Sequence, residues 1–200
     1  MIYEYHFVRA EIGTGPQPRL VEDISVRVAP AARAANGEVV GYFAPALGFS
    51  AREAAILLRW QGATVDVWKY AQAIETRRVD RLTATVRPAA TDIPRAGGIY
   101  VHRWFVVRER DSDEFVTLSN SFWQGGFEQS ADTQIFGLFA AERTPADGDN
   151  ARLLLMTWYA SHAEWDKSRQ QSPEAAAISR RRNALTLDSW AASTRLAALG

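Results

Sequence analysis

The amino-acid sequence predicts an α+β fold: two tandem ferredoxin-like βαββαβ repeats whose antiparallel sheets pack face to face as an α/β barrel. Three observations support this prediction. The order of strand and helix patterns in the first half of the 200 residues recurs in the second half. Short segments match residue by residue between the halves. Several strand-length segments are apolar on both faces, which is typical of sheets that are covered on both sides.

The first half has the order strand, helix, strand, strand, helix, strand. Residues 2–9 are aromatic and β-branched, which favours a strand. Residues 19–35 carry apolar side chains at helical spacing, with a kink or an end expected at Pro30. GEVVGYFAPAL and EAAILLRWQ are apolar runs of strand length. Residues 64–79 again show helical spacing, and RLTATVRP alternates like a fourth strand.

The segment 91–96 is the expected linker between the repeats. It lies in the stretch AATDIPRAGG, which is rich in small residues, Pro and Gly. It separates a first repeat over residues 1–90 from a second repeat over residues 97–200. The second repeat begins GGIYVHRWFVV, which is similar to the opening MIYEYHFV of the first.

The second half repeats the order of elements. Residues 99–108 have a strand pattern, followed by a helix capped at Ser112 or Asp113. TQIFGLFAAE and RLLLMTWYA are two further strands. SHAE fits a capping box, in which the Glu164 carboxylate reaches back to the amide of the serine. The helix after it meets Pro173, which kinks or divides it, and LTLDSWAASTRL supplies the last strand, with a helix over SWAASTRLAAL as the alternative.

Residue matches between the halves favour an internal repeat. VVGYF aligns with IFGLF, and both contain a central glycine. In the following strand and helix, Trp60 aligns with Trp158 and Trp68 with Trp165. Similarity at a fixed period predicts a repeated structural unit. Because helices can cover only one face of each sheet, we expect the other face to pack on the second sheet, with a cavity between the two.

Composition excludes several classes of function. Lys and Arg together number 23, and so do Asp and Glu, so a net charge of zero argues against nucleic acid or an anionic membrane as partner. The basic run SRRRN reads as the solvated end of a helix. Without cysteine there is no disulfide, thiolate nucleophile or Cys-based metal site. No secretory signal or membrane-spanning run is found, so we expect a cytoplasmic protein. Three scattered histidines indicate no metal site.

The opening IYEYHFV, the segment VGYF…LG and the segment LLRW followed by Trp68 resemble NIPSNAP-like members of the dimeric α/β-barrel superfamily. That family typically opens with a Tyr-Glu-x-Arg-like strand. Tyr3 and Glu4 match it, and His6 stands in the Arg place. In the second half, Arg103 falls at that place, whereas Val101 replaces the Glu. The resemblance implies that one chain builds what other members build from two chains, around a pocket.

Glu4 and His6 are the candidate catalytic residues. They lie two apart on one strand and so point to the same face. An acid, a base and the cation of Arg103 in one cavity would shift one another's pKa values and could move protons. Arg59, in an apolar strand, needs an anionic partner or a ligand carboxylate, or else extends its charged end to solvent. The alternative for Glu4 and His6 is a structural hydrogen bond or a wet strand end.

The other candidates are aromatic or imidazole side chains that would line the cavity and bind substrate. His102 is either a core histidine or, because some barrels of the superfamily bind haem, an axial ligand. The aromatic residues belong either to the core or to the wall of an apolar pocket. They are Phe43, Trp60, Trp104, Phe136 and Trp158.

Three functions remain open at this point. The first is a small-molecule enzyme without a dissociable cofactor, acting on an apolar or aromatic metabolite by acid/base chemistry. Its reaction would be an isomerisation, dehydration, cyclisation or cofactor-independent oxygenation. The second is a non-catalytic module that binds a ligand or a partner protein, with a homodimer also left open. The third is a haem-binding barrel. Fold alone does not decide among them.

Overall fold

A computed structural model of the protein describes residues 1–12, 18–170 and 172–199. The chain divides into two compact units. The first unit comprises Met1–Thr83 together with the chain from Ser193 onward, and the second comprises Ala84–Ala192. We describe each unit by itself.

The first unit is an antiparallel sheet with a helix on one face. Its strands are β1 (Ile2–Ala10), β2 (Gly37–Leu47), β3 (Glu53–Trp60), β4 (Ile74–Ala84) and the last residues of β8 (Thr186–Ala197). They pair in the order β4-β1-β3-β2-β8. The helix consists of α1 (Pro18–Asp23), a π-helical turn (Ile24–Val28) and α2 (Ala29–Ala34). It continues past Pro30, and the π-helical turn just before the proline is the expected distortion.

Packing against this helix decides which way the β1 side chains point. The helix contributes Leu20, Ile24 and Val28 to a core cluster that also contains Val8 and Ala10 of β1. Since side chains alternate along a strand, all even-numbered residues of β1 face the helix. The odd-numbered ones lie on the opposite face of the sheet.

The helix predicted over residues 64–79 is wrong. Only a short 3-10 turn, Trp68–Tyr70, forms there, and β4 begins at Ile74. The Asp23 carboxylate accepts hydrogen bonds from the backbone N–H groups of Gln72 and Ala73, at 2.8 and 3.1 Å. Tertiary contacts and pairing with β1 therefore hold this segment extended, against its helical spacing.

The second unit has the same order of strands, with helices also at the place where the first unit has only a 3-10 turn. Its strands are β5 (Ile99–Arg108), β6 (Thr133–Ala141), β7 (Asn150–Tyr159) and the first part of β8, in the order β8-β5-β7-β6. Its helices are α3 (Ser112–Phe122), which a π-helical turn joins to α4 (Glu128–Ser130), then α5 (His162–Lys167) and α6 (Pro173–Leu185). Among the described helices, none combines the length and the apolar character that crossing a membrane requires.

Two of the helix boundaries predicted in this unit are confirmed. The cap predicted at Ser112 or Asp113 is wrong, because Asp111 is the N-cap residue of α3 and its side chain makes no capping hydrogen bond. Pro173 begins a new helix and so divides the segment after β7. The Ser161 hydroxyl accepts from the N–H of Glu164 at 3.2 Å, as expected for a cap. The predicted return bond is wrong, because the Glu164 carboxylate accepts instead from the N–H of Asp132 at 2.9 Å. The last strand forms at β8, so the helical alternative is also wrong.

Strand pairing continues through β1-β3-β2-β8-β5-β7-β6-β4 as a closed barrel of eight strands. This confirms the predicted α+β barrel class. The face of each sheet that its own helices cover is mostly apolar. In the second unit, Phe105, Val107, Leu153 and Leu155 pack there against the helices. Odd-numbered residues of β5 and β7 therefore face the helices of their unit.

Strand register gives the correspondence between the two units. Ile2 pairs with Trp60, and Ile99 pairs with Tyr159. In both sheets the strand register shifts immediately before the glycine that the two halves have in common, Gly41 in the first unit and Gly137 in the second. The register makes Tyr159, and not Trp158, the counterpart of Trp60, so the predicted alignment of the two tryptophans is wrong by one residue.

The two glycines before β5 give a matched stability prediction. Both have positive φ, +75° at Gly97 and +59° at Gly98. A Cβ on Gly98 would lie 2.2 Å from the backbone oxygen of Tyr159, whereas one on Gly97 meets nothing within 4 Å. We expect Gly97→Ala to cost only the left-handed backbone penalty, about 1–2 kcal/mol. Gly98→Ala should lower the free energy of unfolding, measured by urea denaturation, by about 2–4 kcal/mol. Equal losses of stability in the two variants would contradict the steric clash at Gly98.

Candidate functional site

Glu4 and His6 form a buried polar cluster in the first unit. His6 Nε2 lies 3.2 Å from Glu4 Oε2, and the Trp60 indole N–H donates to the same oxygen at 3.0 Å. Arg81 Nε lies 3.7 Å from the other carboxylate oxygen. His6 is fully buried, and Glu4 is 7% exposed. The hydrogen bond that the sequence left as a structural alternative is therefore present.

Both ring nitrogens of His6 are occupied. Arg77 Nη1 lies 3.4 Å from Nδ1. Because a guanidinium can only donate, Nδ1 is the acceptor and Nε2 carries the proton that is donated to Glu4. The Trp68 indole nitrogen lies 3.3 Å from Nε2. That contact becomes a hydrogen bond only when Nε2 gives up its proton.

Burial and neighbouring charges act oppositely on the two ionisable groups. Burial lowers the pKa of His6, and Arg77 adds to this effect, so that together they outweigh the nearby Glu4. Burial alone would raise the pKa of Glu4, but hydrogen bonds from His6 and Trp60 and the charge of Arg81 lower it. The cluster is thus a neutral imidazole beside an ionised carboxylate at neutral pH.

The expectation that Glu4, His6 and Arg103 line one shared cavity is wrong. Glu4 and His6 face the helix of the first unit, whereas Arg103 faces the helices of the second unit. Burial of these polar groups against helices was expected to be costly without partners. In the first unit, Trp60, the two arginines and the imidazole supply those partners.

The other ionisable candidates lie on the opposite faces of their sheets. Arg59 donates from Nε to Glu38 at 2.6 Å, so this cation has an anionic partner within the chain. Burial would lower the pKa of Arg59, but hydrogen bonds with Glu38 and Tyr3 raise it. His102 is 2% exposed, and burial lowers its pKa to about 3.

The remaining aromatic candidates divide between the two faces. Trp60 belongs to the Glu4 cluster. The others are buried on the faces turned away from the helices, and a role for them in substrate binding stays a prediction. They are Phe43, Trp104, Phe136 and Trp158.

A cavity of about 200 Å³ lies in the second unit, between the sheet and its helices. We call it the arginine pocket, because Arg103, Arg169 and Arg182 line it. Its aromatic wall is formed by Phe122, Trp123, Phe127 and Trp165, and its hydroxyl groups come from Thr157, Tyr159, Ser168 and Ser179. No carboxylate is among the described residues of its lining.

Two of the three cations of the arginine pocket lack an anionic partner among the described residues, whereas the third, Arg169, pairs with Asp166 at 3.7 Å. Within the described chain, the Arg103 guanidinium makes no hydrogen bond or ion pair. The buried Nε of Arg182 has no hydrogen-bond partner there either, and its guanidinium lies 5.3–5.8 Å from the ring centres of three phenylalanines. Burial and Arg103 lower the pKa of Arg182 to about 10. Burial also lowers the pKa of Arg103. Both side chains remain cationic at neutral pH.

Sequence reasoning identified Arg103 but missed Arg182. Arg182 lies in the run SRRRN, which was interpreted as a solvated helix end. Arg180 and Arg181 are indeed exposed, whereas Arg182 is turned toward the sheet. A signal was present: Arg182 falls at helical spacing between Ile178 and Leu185, which pack on the core. The register of a predicted helix can therefore reveal one inward charge within a basic run.

Metal binding finds no support in the described residues. No group of three or more His, Asp or Glu side chains there could hold a metal ion. The arginine pocket contains no histidine among its described lining residues. Its donor set of guanidinium, hydroxyl and indole groups suits an anion instead.

Comparison of sequences identifies no relative: no protein-family model matches, and no curated protein matches significantly. Solved structures do match. An anthrone oxidase-like protein has a TM-score of 0.62 at 12% identity, with 98% of this chain and 91% of that chain covered.

Two further structures match over comparable lengths. A ferredoxin-fold protein from Listeria monocytogenes, related to antibiotic biosynthesis monooxygenases, gives a TM-score of 0.53 at 9% identity, covering 98% and 95% of the two chains. A haem-binding protein from Thermus thermophilus gives 0.52 at 11%, covering 99% and 92%. The narrower resemblance to NIPSNAP-like members stays a prediction. At such identities the likeness concerns fold alone, and it shows that this chain has the ferredoxin-like α/β-barrel fold.

Proposed function

We propose that this protein is a small-molecule enzyme whose reaction takes place in the arginine pocket, on a small aromatic compound that carries negative charge during the reaction. The observation that supports this most is the pair Arg103 and Arg182 in the wall of an aromatic cavity, two cations without an anionic partner among the described residues. A buried charge without a partner is costly, so such a pair favours a ligand that supplies the opposite charge.

The size of the cavity limits the substrate. Pockets for drug-sized ligands measure roughly 300–1,000 Å³. About 200 Å³ suits a compound with one ring. The aromatic wall, including Trp123 and Phe122, can stack on that ring, and the two guanidinium groups can hold a charged oxygen at its edge.

The proposed chemistry is stabilisation of an oxyanion. A phenol or an enolisable ketone loses its proton more readily beside Arg103 and Arg182, because an opposite charge favours the ionised form. Burial raises the pKa of Tyr159, so its hydroxyl stays protonated and can donate a hydrogen bond. The proton of the substrate leaves to water on the side of Arg169, whose side chain is 67% exposed. The resulting electron-rich anion can add dioxygen at a neighbouring ring or α carbon to form a hydroperoxide. Loss of water from the hydroperoxide leaves a carbonyl group, so that one oxygen atom ends in the product and the other in water, and the substrate supplies all the electrons without a bound cofactor.

The monooxygenase-related and anthrone oxidase-like structures of similar fold support oxygenation among the reactions left open by the sequence. Glu4 and His6 are a second proposed site for proton transfer. Their support is weaker, because Glu4 and Arg77 already occupy both ring nitrogens of the imidazole. The haem alternative has less support still, since a porphyrin needs far more space than the arginine pocket offers.

We expect the purified protein to consume dioxygen with single-ring phenols and enolisable aromatic ketones, measured with an oxygen electrode. Loss of one oxyanion donor typically lowers kcat by 10²–10³-fold. Arg103→Gln and Arg182→Gln should each lower the rate by roughly this factor, whereas His6→Gln should retain most of it. If only His6→Gln loses activity, the reaction takes place at the Glu4 and His6 cluster of the first unit and not in the arginine pocket. No turnover, with a Soret band on haem addition, would support the haem alternative instead.

A further inference from the structure

The two units place different residues at equivalent positions. Glu4 pairs with Leu58 in the first unit, and Val101 pairs with Thr157 in the second. Ile2 and Ile99 begin the equivalent strands β1 and β5. Two residues further along, Val101 is the counterpart of Glu4, and two further again, Arg103 is the counterpart of His6. Both pairs of positions face the helices of their own unit.

In the first unit, the chain supplies its own anion at this place. The Glu4 carboxylate accepts a hydrogen bond from Trp60 at 3.0 Å, lies 3.2 Å from His6 and lies 3.7 Å from Arg81. The donors around that position therefore have their acceptor within the chain.

In the second unit, other hydrogen-bond donors lie at the corresponding place, and no carboxylate is among the described residues of the lining. Val101 replaces the carboxylate with an apolar side chain and leaves part of the cavity open. Arg103 replaces the imidazole with a permanent cation. The buried Nε of Arg182 has no partner among the described residues. The cavity thus offers cationic donors at this place, without a carboxylate among its described lining residues.

We infer that the arginine pocket binds a carboxylate attached to a small aromatic ring, and that this carboxylate takes the place that Glu4 occupies in the first unit. The inference rests on the proposed function for the site and narrows its substrate class to single-ring phenols and enolisable aromatic ketones that also carry a carboxylate. A guanidinium matches the two oxygens of a carboxylate, and the aromatic wall favours a ligand with an apolar body over a small inorganic anion.

A substitution at Val101 tests this inference without any ligand. Val101→Glu supplies the missing carboxylate from within the chain, and Val101→Gln adds the same bulk without charge. We expect Val101→Glu to melt several degrees above Val101→Gln at pH 7. A melting temperature equal to or below that of Val101→Gln would overturn the inference.

Ligand binding gives a second test, by calorimetric titration with benzoate, benzamide and inorganic phosphate. We expect benzoate to bind at least tenfold more tightly than either of the others. Arg182→Gln and Val101→Glu should each weaken benzoate binding at least tenfold. Arg181→Gln is the matched control, because this neighbour on α6 is exposed and pairs with Glu114. Its affinity for benzoate should remain that of the unaltered protein.

The outcomes separate this inference from the proposed function. Equal affinities for benzoate and benzamide, or a higher affinity for phosphate than for benzoate, would overturn the inference that the pocket binds an aromatic carboxylate. If benzoate does not bind while phenols still drive dioxygen consumption that depends on Arg182, the inference fails and the proposed function stands. If benzoate binds as expected but no compound is turned over, the pocket is a carboxylate-binding site and the enzyme proposal fails.

Discussion

Replacing Glu4 with valine should lower the free energy of unfolding by about 3–5 kcal/mol, the usual cost of removing one partner from a buried charged pair. The substitution reproduces the residue found at the equivalent position of the second unit. It leaves the Trp60 N–H without its acceptor and the His6 N–H without the carboxylate 3.2 Å away. The measurement is urea denaturation at pH 7.

Two further variants make that result interpretable. Glu75→Val removes a carboxylate from an exposed pair with Arg52 on the same sheet, and exposed pairs are worth about 0–1 kcal/mol. Glu4→Gln keeps an acceptor for Trp60 and should lose less stability than Glu4→Val. If Glu4→Val costs no more than Glu75→Val, the cluster does not stabilise the first unit.

Replacing His102 with glutamine should remove a large part of the protein's sensitivity to acid. Burial lowers the pKa of His102 to about 3 in the folded state, against an ordinary value of 6.5. As the pH falls below about 6.5, His102 takes up a proton in the unfolded chain but not in the folded one, so the protein loses stability with falling pH. At about 1.4 kcal/mol per pH unit, this one group costs the wild type about 2 kcal/mol by pH 5.

The measurement compares the free energies of unfolding of both proteins at pH 7 and pH 5. We expect the fall between these values to be about 2 kcal/mol smaller in His102→Gln than in the wild type. His162→Gln, at the start of α5, leaves His102 in place and should keep the wild-type fall. An identical fall in all three proteins would mean that His102 takes up a proton in the folded state.

Local patterns were sufficient for most of the fold. The apolar runs around Ile56 and Leu154 identify β3 and β7, because a sheet covered on both sides has apolar side chains on both faces. Pro173 marks the start of α6 because its fixed φ suits the first turn of a helix. These signals are properties of the chain over a few residues, so they are readable without the tertiary structure.

Patterns failed where tertiary contacts opposed them. The residues around Trp68 have helical spacing, but pairing with β1 and the Asp23 carboxylate keep the segment before and within β4 extended. Trp60 and Trp158 align by residue type, yet strand register makes Tyr159 the counterpart of Trp60. Register is set by hydrogen bonding between strands distant in sequence, which a residue-by-residue match does not contain.

By itself, the sequence determined that Glu4 and His6 share one face of a strand and that the two halves differ at this place. The period of a strand is enough for that statement. Only the tertiary structure decided which face it is, because either face of an apolar strand can be the one packed on a helix. The same packing turned Arg182 inward beside Arg103. The chemistry of the site therefore depends on helix packing, which joins residues that the sequence holds far apart.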